Sequence, residues 1–315
     1  MEVKIMIRPL RENDLPESDR IFRLAFGTFI GLPDPMAFAG DADYVRTRWL
    51  ADPAAALGAE SAGELIGSNF LTNWGSFGFF GPLTIRPDFW DKGVARRLLE
   101  PTMDIFAERG TKLAGLFTFA QSTKHIHLYQ KFGFWPQFLT ALMTKPVDQN
   151  LTASSWTALS ELKDQERADG LKACAELTGA IYDGLNVERE IRAVAEQKLG
   201  ETVLVWDDSK LVAFAVCHCG AGSEAGSGAC YIKFGAAQPG LAAERNFNRL
   251  LEACEAFAAS RGLEKLDAGV NTARAGAYRQ MLARGFRTFL QGVTMLRSKD
   301  QGYNRPDVYV IDDWR

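Results

Sequence analysis

Residues 81–99 read Gly-Pro-Leu-Thr-Ile-Arg-Pro-Asp-Phe-Trp-Asp-Lys-Gly-Val-Ala-Arg-Arg-Leu-Leu: an apolar strand that ends at Pro87, a turn through Gly93, and the start of an amphipathic helix. A turn of this kind suits a phosphate. The first backbone N–H groups of a helix have no partner inside it, and the aligned peptide dipoles place partial positive charge at that end. Gly93 permits the unusual dihedral that a close backbone approach needs, Ala95 keeps the next contact point small, and Lys92, Arg96 and Arg97 add charge. Taken by itself, a strand-to-helix turn with one glycine is more often only a turn, so the rest of the chain has to decide.

Further on stands Leu128-Tyr129-Gln130-Lys131-Phe132-Gly133-Phe134. The two segments, in this order, resemble the signature regions of the GCN5-related N-acetyltransferase superfamily, and Ile7-Arg8-Pro9-Leu10 looks like that family's first strand. The resemblance implies acyl-CoA binding and N-acyl transfer, with acetyl-CoA as co-substrate and an amine as acceptor. It implies that the strand ending in Leu83, Thr84 and Ile85 lines the pantetheine arm. It also implies that Asp91, Lys92, Gly93, Val94, Ala95 and Arg96 hold the pyrophosphate, and that Tyr129 lies near the cofactor sulfur. Two positions depart from the family pattern: Trp90 replaces a Gln or Arg at the head of the loop, and Ser122 replaces an Asn seven residues before the tyrosine.

Acyl transfer from a thioester to an amine needs a neutral amine, a polarised carbonyl and a proton for the leaving thiolate. A thiol of pKa about 8.5 can take a proton from a phenol of pKa about 10 when the thiolate is the developing charge. Tyr129 is therefore the expected acid; a packing aromatic is the alternative for such a pair before Gly-Phe. A backbone N–H near Leu83 or Thr84 is the expected carbonyl donor, as the family's geometry implies. No carboxylate occurs between Phe77 and Leu83 to act as base. His125, one helical turn before Tyr129, is one substitute through a water, although it and His127 read first as surface or structural residues. Asp41, Asp43 and Glu60 are scattered acids with no assigned role. Phe77, Phe79 and Phe80 read as core, with an apolar acceptor channel as the alternative.

The elements that position these groups occur twice. A shift of 152 positions carries Pro87 onto Pro239, Leu98-Leu99 onto Leu250-Leu251, Gly110 onto Gly262, Gly133-Phe134 onto Gly285-Phe286 and Met143 onto Met295. Each half reads as strand, turn, long amphipathic helix, strand, shorter helix, Gly-Phe, strand. The expected fold is α/β: two tandem domains, residues 1–148 with the acyl-CoA site and residues 152–315 as a degenerate copy. Each would be a mixed, mostly antiparallel twisted sheet flanked by helices, with a linker across Val147 to Ser155. In the second copy Gly93 becomes Arg245, Ala95 becomes Phe247 and Tyr129 becomes Met281, which should abolish a standard site.

Within the first half, Val3 to Ile7 alternates as a strand, and Asp14 with Glu17 predicts a capped helix from Leu15 with Ile21, Phe22 and Ala25 buried. Gly27 to Pro35 is expected to break it. A second helix over Asp43 to Leu50 and strands at 55–58, 65–72 and 77–85 follow, then a helix over Gly93 to Arg109 bent at Pro101.

Composition sets the remaining bounds. At 47% hydrophobic and 24% charged residues the chain is that of a globular protein, and a net charge of -3 gives no broad positive field for nucleic acid or an anionic membrane. The start lacks the arrangement of a signal peptide, so a cytoplasmic protein is expected. Five cysteines without paired spacing argue for reduced thiols, and Cys217-His218-Cys219 would point its cysteines and its histidine to opposite faces of a strand, so no metal is expected. A small-molecule amine is the expected acceptor, with a non-catalytic acyl-CoA-binding scaffold as the rival reading; oligomeric state leaves no mark in the sequence.

Overall fold

The computed structural model of the chain describes residues 4–151, 155–298 and 300–315. Its first half runs β1 (Met6–Pro9), α1 (Leu15–Ile30), α2 (Val45–Ala51), β2 (Ala56–Ser61), β3 (Glu64–Trp74), β4 (Phe77–Ile85), α3 (Val94–Glu108), β5 (Leu113–Phe119), α4 (Thr123–Gln130) and β6 (Trp135–Pro146). The second half repeats that order. It runs β7 (Thr157–Ala158), α5 (Asp164–Ile181), α6 (Glu188–Glu196), β8 (Gly200–Asp207), β9 (Lys210–Gly220), β10 (Gly226–Ala237), α7 (Ala243–Ser260), β11 (Lys265–Asn271), α8 (Ala275–Ala283) and β12 (Arg287–Leu296), followed by a short β13 (Val310–Ile311). Part of the expected linker, residues 152–154, and Val3 of the expected first strand lie outside the described residues.

The strands form one mixed sheet in the order β1-β2-β3-β4-β5-β12-β6-β11-β10-β9-β8-β7, with β13 on β10. The pairs β4–β5 and β10–β11 are parallel, and the other ladders are antiparallel. The order contains an exchange. β12, from the second half, lies between β5 and β6, with Met295 opposite Leu116 on one side and Pro136 on the other. β6 in turn pairs with β11, Met143 opposite Ala268. The last long strand of each half thus completes the sheet of the other half, and parting the halves would break both ladders. Sequence pattern leaves either partner open, because both strands follow a helix and a Gly-Phe turn and carry a buried, mostly apolar run after an exposed start.

Successive residues of a strand point to opposite faces. Leu57 and Ile66 therefore join Val94, Leu98 and Phe106 of α3, whereas Ala56 and Leu65 join Ile21 and Phe22 of α1 and Val45 of α2. α1 does not break at Gly27. A Cβ there would lie 2.2 Å from the Pro35 carbonyl oxygen, so the glycine serves the close approach of the following loop, and the helix ends at Gly31 in the left-handed conformation. Phe77 and Phe79 are core rather than channel: they pack with Trp74, Phe234 and Trp314 where the halves meet, and Phe80 is buried on the α3 face. No helix among the described residues is long and apolar enough to cross a membrane.

Charge is buried between the halves as well. Arg48 of α2 donates to both carboxylate oxygens of Glu224 at 2.9 and 3.0 Å and to the Gly81 carbonyl at 2.6 Å. Lys233 reaches Glu224 at 2.8 Å and Glu190 at 3.1 Å. Beside them, His218 Nδ1 accepts the Glu224 N–H at 3.3 Å and buried Nε2 has no partner among the described residues. Burial, with Lys233 nearby, lowers the His218 pKa from 6.5 to about 4. The unfolded chain then takes up the proton first. This contribution to stability is full above pH 6.5 and is lost as pH falls through 4, a loss of up to about 3 kcal/mol. Urea midpoints from pH 7.5 to 5 should fall more steeply for the parent than for His218→Gln, and equal slopes would contradict this origin.

Candidate functional site

β4 and β5 pair in parallel from Phe77 opposite Leu113 to Phe80 opposite Leu116, and no further. Beyond that point β4 continues to Ile85 on β3 alone, and β5 continues to Phe119 on β12 alone. The strands therefore part, and one edge of residues 81–85 has no strand partner. A register shift between Asn69 and Leu71 of β3 marks where β4 turns away. Thr84 Oγ1 lies 3.4 Å from Ser68 Oγ, which accepts from Ser18 of α1 at 2.8 Å, so its side chain points away from α3 and only its backbone borders the gap. Leu83 and Ile85 face the α3 cluster.

From Ile85 the chain passes through a short turn of 3-10 helix, Pro87–Phe89, into the loop at 90–93. Trp90 pins that loop, its Nε1 donating to the Ile85 carbonyl at 2.8 Å. Asp91 and Gly93 both have positive φ, 63° and 77°. A Cβ added at Gly93 would meet nothing within 4 Å, so the space in front of the turn is open. The amides of residues 91–96 donate to no backbone acceptor among the described residues, and the first bond of the helix is Arg97 N–H to the Gly93 carbonyl at 3.3 Å. Six consecutive N–H groups at the positive end of α3 are a cradle for an anion.

The side chains around this cradle divide into two kinds. Val94 is buried in the core, so it offers only its backbone, and Ala95 is half-buried. Lys92 lies over the Phe89 ring at 4.8 Å, Arg96 pairs with Glu100 at 3.2 Å, and Asp91 forms an ion pair with Lys124 at the start of α4. That last pair ties the loop to the helix that carries Tyr129.

The Tyr129 ring is buried on the α3 face, edge-on to Phe80 at 5.6 Å between ring centroids. Burial raises the phenol well above its ordinary pKa and so keeps it protonated at neutral pH. Its hydroxyl is not among the buried side-chain atoms that lack a partner, although no hydrogen bond is formed with it among the described residues. A desolvated phenol open at one point can donate to a group placed beside it. The structure half-buries His125, a position between the surface and structural readings of it, with its ring 6.5 Å from Tyr129 and 5.1 Å from Phe29 of α1. His127 is exposed. Ser122 precedes α4 without a side-chain cap bond. Of the acids, Asp41 holds Ser227, Glu60 pairs with Arg8 at 2.8 Å, and Asp43 accepts the Arg46 N–H, its pKa raised chiefly by burial.

The corresponding place in the second half is filled. β10 and β11 also part, after Ile232 opposite Ala268, but β13 pairs with β10 at Gly235 and Ala236. Asp313 packs against Gly269, and Arg274 donates to the Val310 carbonyl at 2.9 Å and to Asp312 at 2.5 Å. At the start of α7 the Ala243 amide already bonds the Gly240 carbonyl at 3.0 Å. Phe247 and Met281 are core residues there, and Arg245 pairs with Asp207 at 3.5 Å. Sequence substitution alone pointed to loss of this site; the filling segment carried no signal of its own. A cavity near Arg48, Asn73, Glu190 and His218 encloses only about 10 Å³, the scale of a single water, and lies apart from the cradle.

Residues 20–134 match the model of the acetyltransferase (GNAT) family. No curated protein matches the sequence. Among solved structures, a candidate acetyltransferase from Pyrococcus horikoshii superposes with a TM-score of 0.70 at 13% identity, over 98% of this chain and 95% of that one. A GCN5-related N-acetyltransferase from Sphaerobacter thermophilus gives 0.59 at 15% identity, over 93% and 95%. A fungal glucosamine N-acetyltransferase region gives 0.64 at 12% identity, over 93% of this chain and 38% of that one. At these identities the structural matches establish the fold, and the family match covers the half that holds the open cleft. Residues 20–134 thus match the acetyltransferase (GNAT) family, within a chain whose α/β fold is of the kind found in GCN5-related N-acetyltransferases.

Proposed function

We propose that the chain transfers an acetyl group from acetyl-CoA to the amine of a small molecule, and that the cofactor lies in the cleft between β4 and β5. The observation that carries this reading is the run of six amides, 91–96, without backbone acceptors at the mouth of that cleft. They would take the pyrophosphate, with charge from Lys92 and Arg96. The free edge of Leu83, Thr84 and Ile85 would take the pantetheine amides as a further strand does. A thioester supplies an activated acyl carbon; the protein's part is to orient it, to polarise its carbonyl with a backbone N–H near Leu83, and to deliver a proton to the leaving sulfur from Tyr129.

The same reading divides the chain into residues 1–148, which hold the site, and residues 152–315, a second copy whose cleft its own chain fills. The repeated element order and the segment around β13 support one acyl-CoA per chain.

Free thiol released from acetyl-CoA in the presence of an amine panel tests the reaction. Tyr129→Phe should lower kcat about 100-fold and leave the KM for acetyl-CoA nearly unchanged, since the hydroxyl acts on the leaving group. Absence of amine-dependent thiol release from the parent protein, with acetyl-CoA still bound, would instead indicate a binding scaffold.

A further inference from the structure

α1 and α2 cover one face of the sheet, and α3 with the Tyr129 region of α4 covers the other. The two sides touch where β4 and β5 have parted. There Phe29 of α1 lies 5.0 Å from Phe119 at the end of β5 and 5.1 Å from His125 of α4, ring centroid to ring centroid. Phe26 and Phe38 stack behind them at 5.2 Å, so half-buried aromatic rings lead from the α1 face up to the imidazole. On this face His125 is half-buried beside Phe29, whereas Tyr129 is buried.

We propose that His125 is the base that accepts the proton of the attacking amine. The proposal rests on the acyl-transfer reading above. It places base and acid one helical turn apart on the same face of α4, His125 toward the amine and Tyr129 toward the sulfur. The amine nitrogen forms a bond to the acyl carbon and the carbon–sulfur bond breaks. The amine proton passes to the imidazole, the Tyr129 proton passes to the thiolate, and the imidazolium proton returns to the tyrosinate through water. The products are an amide and a free thiol, with both side chains restored.

The surroundings keep the imidazole neutral. Phe29 packs against it from α1 and Tyr129 from the next turn of its own helix; the charged group that acts on it is Lys124, itself paired with Asp91. Burial first, and Lys124 second, hold its pKa below the ordinary histidine value, so it is ready to accept a proton at neutral pH.

The test compares the parent, His125→Ala and His127→Ala in thiol release across pH 5 to 9, with acetyl-CoA binding measured on each. His125→Ala should bind acetyl-CoA as the parent does and lose about 100-fold in kcat/KM at pH 7. The extra break that the imidazole adds to the acid limb should disappear, leaving only the slope set by deprotonation of the substrate amine, and added imidazole should restore part of the rate. His127→Ala should match the parent. A His125→Ala protein that binds acetyl-CoA but keeps the parent's full acid limb, with the break below the amine's own slope, overturns the proposal, whatever its rate, and leaves the acyl-transfer reading intact. If alanine prevents folding, His125→Gln supplies the same profile. A parent protein with no amine-dependent thiol release overturns the acyl-transfer reading and this proposal together.

Discussion

Glu224→Ala should destabilise the protein by about 3–5 kcal/mol, the cost typical of leaving buried charge without its partner. Glu224 is fully buried and accepts from Arg48 twice and from Lys233 once. Burial works to raise its pKa, yet Arg48 and Lys233 outweigh it and hold the carboxyl well below its ordinary range. Loss of the carboxylate leaves Lys233 with Glu190 and leaves Arg48 with the Gly81 carbonyl and the main-chain oxygen of Arg315. Chemical denaturation gives the size of the effect. Arg48→Met combined with Glu224→Leu should cost less than Glu224→Ala alone, because it removes both charges of the pair. Acid acts in the same direction: a carboxyl with a depressed folded-state pKa contributes its full stability above the unfolded value of 4.5, and loses it as pH falls toward the lower folded value. A Glu224→Ala protein as stable as its parent would mean that the network does not hold the halves together.

Gly93→Asp should weaken acetyl-CoA binding by about 100-fold or more. Aspartate tolerates the left-handed conformation better than most residues, and at Gly93 a Cβ meets nothing, so the fold should survive. The added carboxylate would face the anion that we propose the amide cradle holds, and like charges about 4 Å apart repel by several kcal/mol at an effective dielectric near 20. Gly93→Asn, nearly identical in shape and uncharged, should lose far less. The difference between the two variants isolates charge from shape, and isothermal titration with acetyl-CoA measures it. Equal affinities for the two would contradict an anion at this turn.

Much of the cleft was legible because its parts are local. A strand end, a glycine at positive φ and a helix start lie within about fifteen residues, and backbone amides at a helix start need no particular side chains. The helix that carries Tyr129 is local as well, ending just before Gly133-Phe134. What escaped involves partners distant in sequence. Arg48 and Glu224 are separated by 176 positions, and neither stands in a motif. The exchange of β6 and β12 could not be read because two strands with the same pattern fit the same edge, and only tertiary packing chooses between them. Phe77 and Phe79 differ from Phe80 in their surroundings because the second half of the chain covers them, a contact invisible to strand alternation. The surroundings of His125 are not legible because nothing nearby in sequence shows that Phe29, ninety-six positions away, lies against it.

The central claim is that one acyl-CoA binds per chain, in the open cleft of the first half, while the second cleft is filled by residues near β13. Titration of the parent protein and of Gly93→Asp with acetyl-CoA tests it most directly. The expected result is one site per chain in the parent and no measurable site of comparable affinity in the variant. Two sites per chain, or one site that survives Gly93→Asp unchanged, would contradict it.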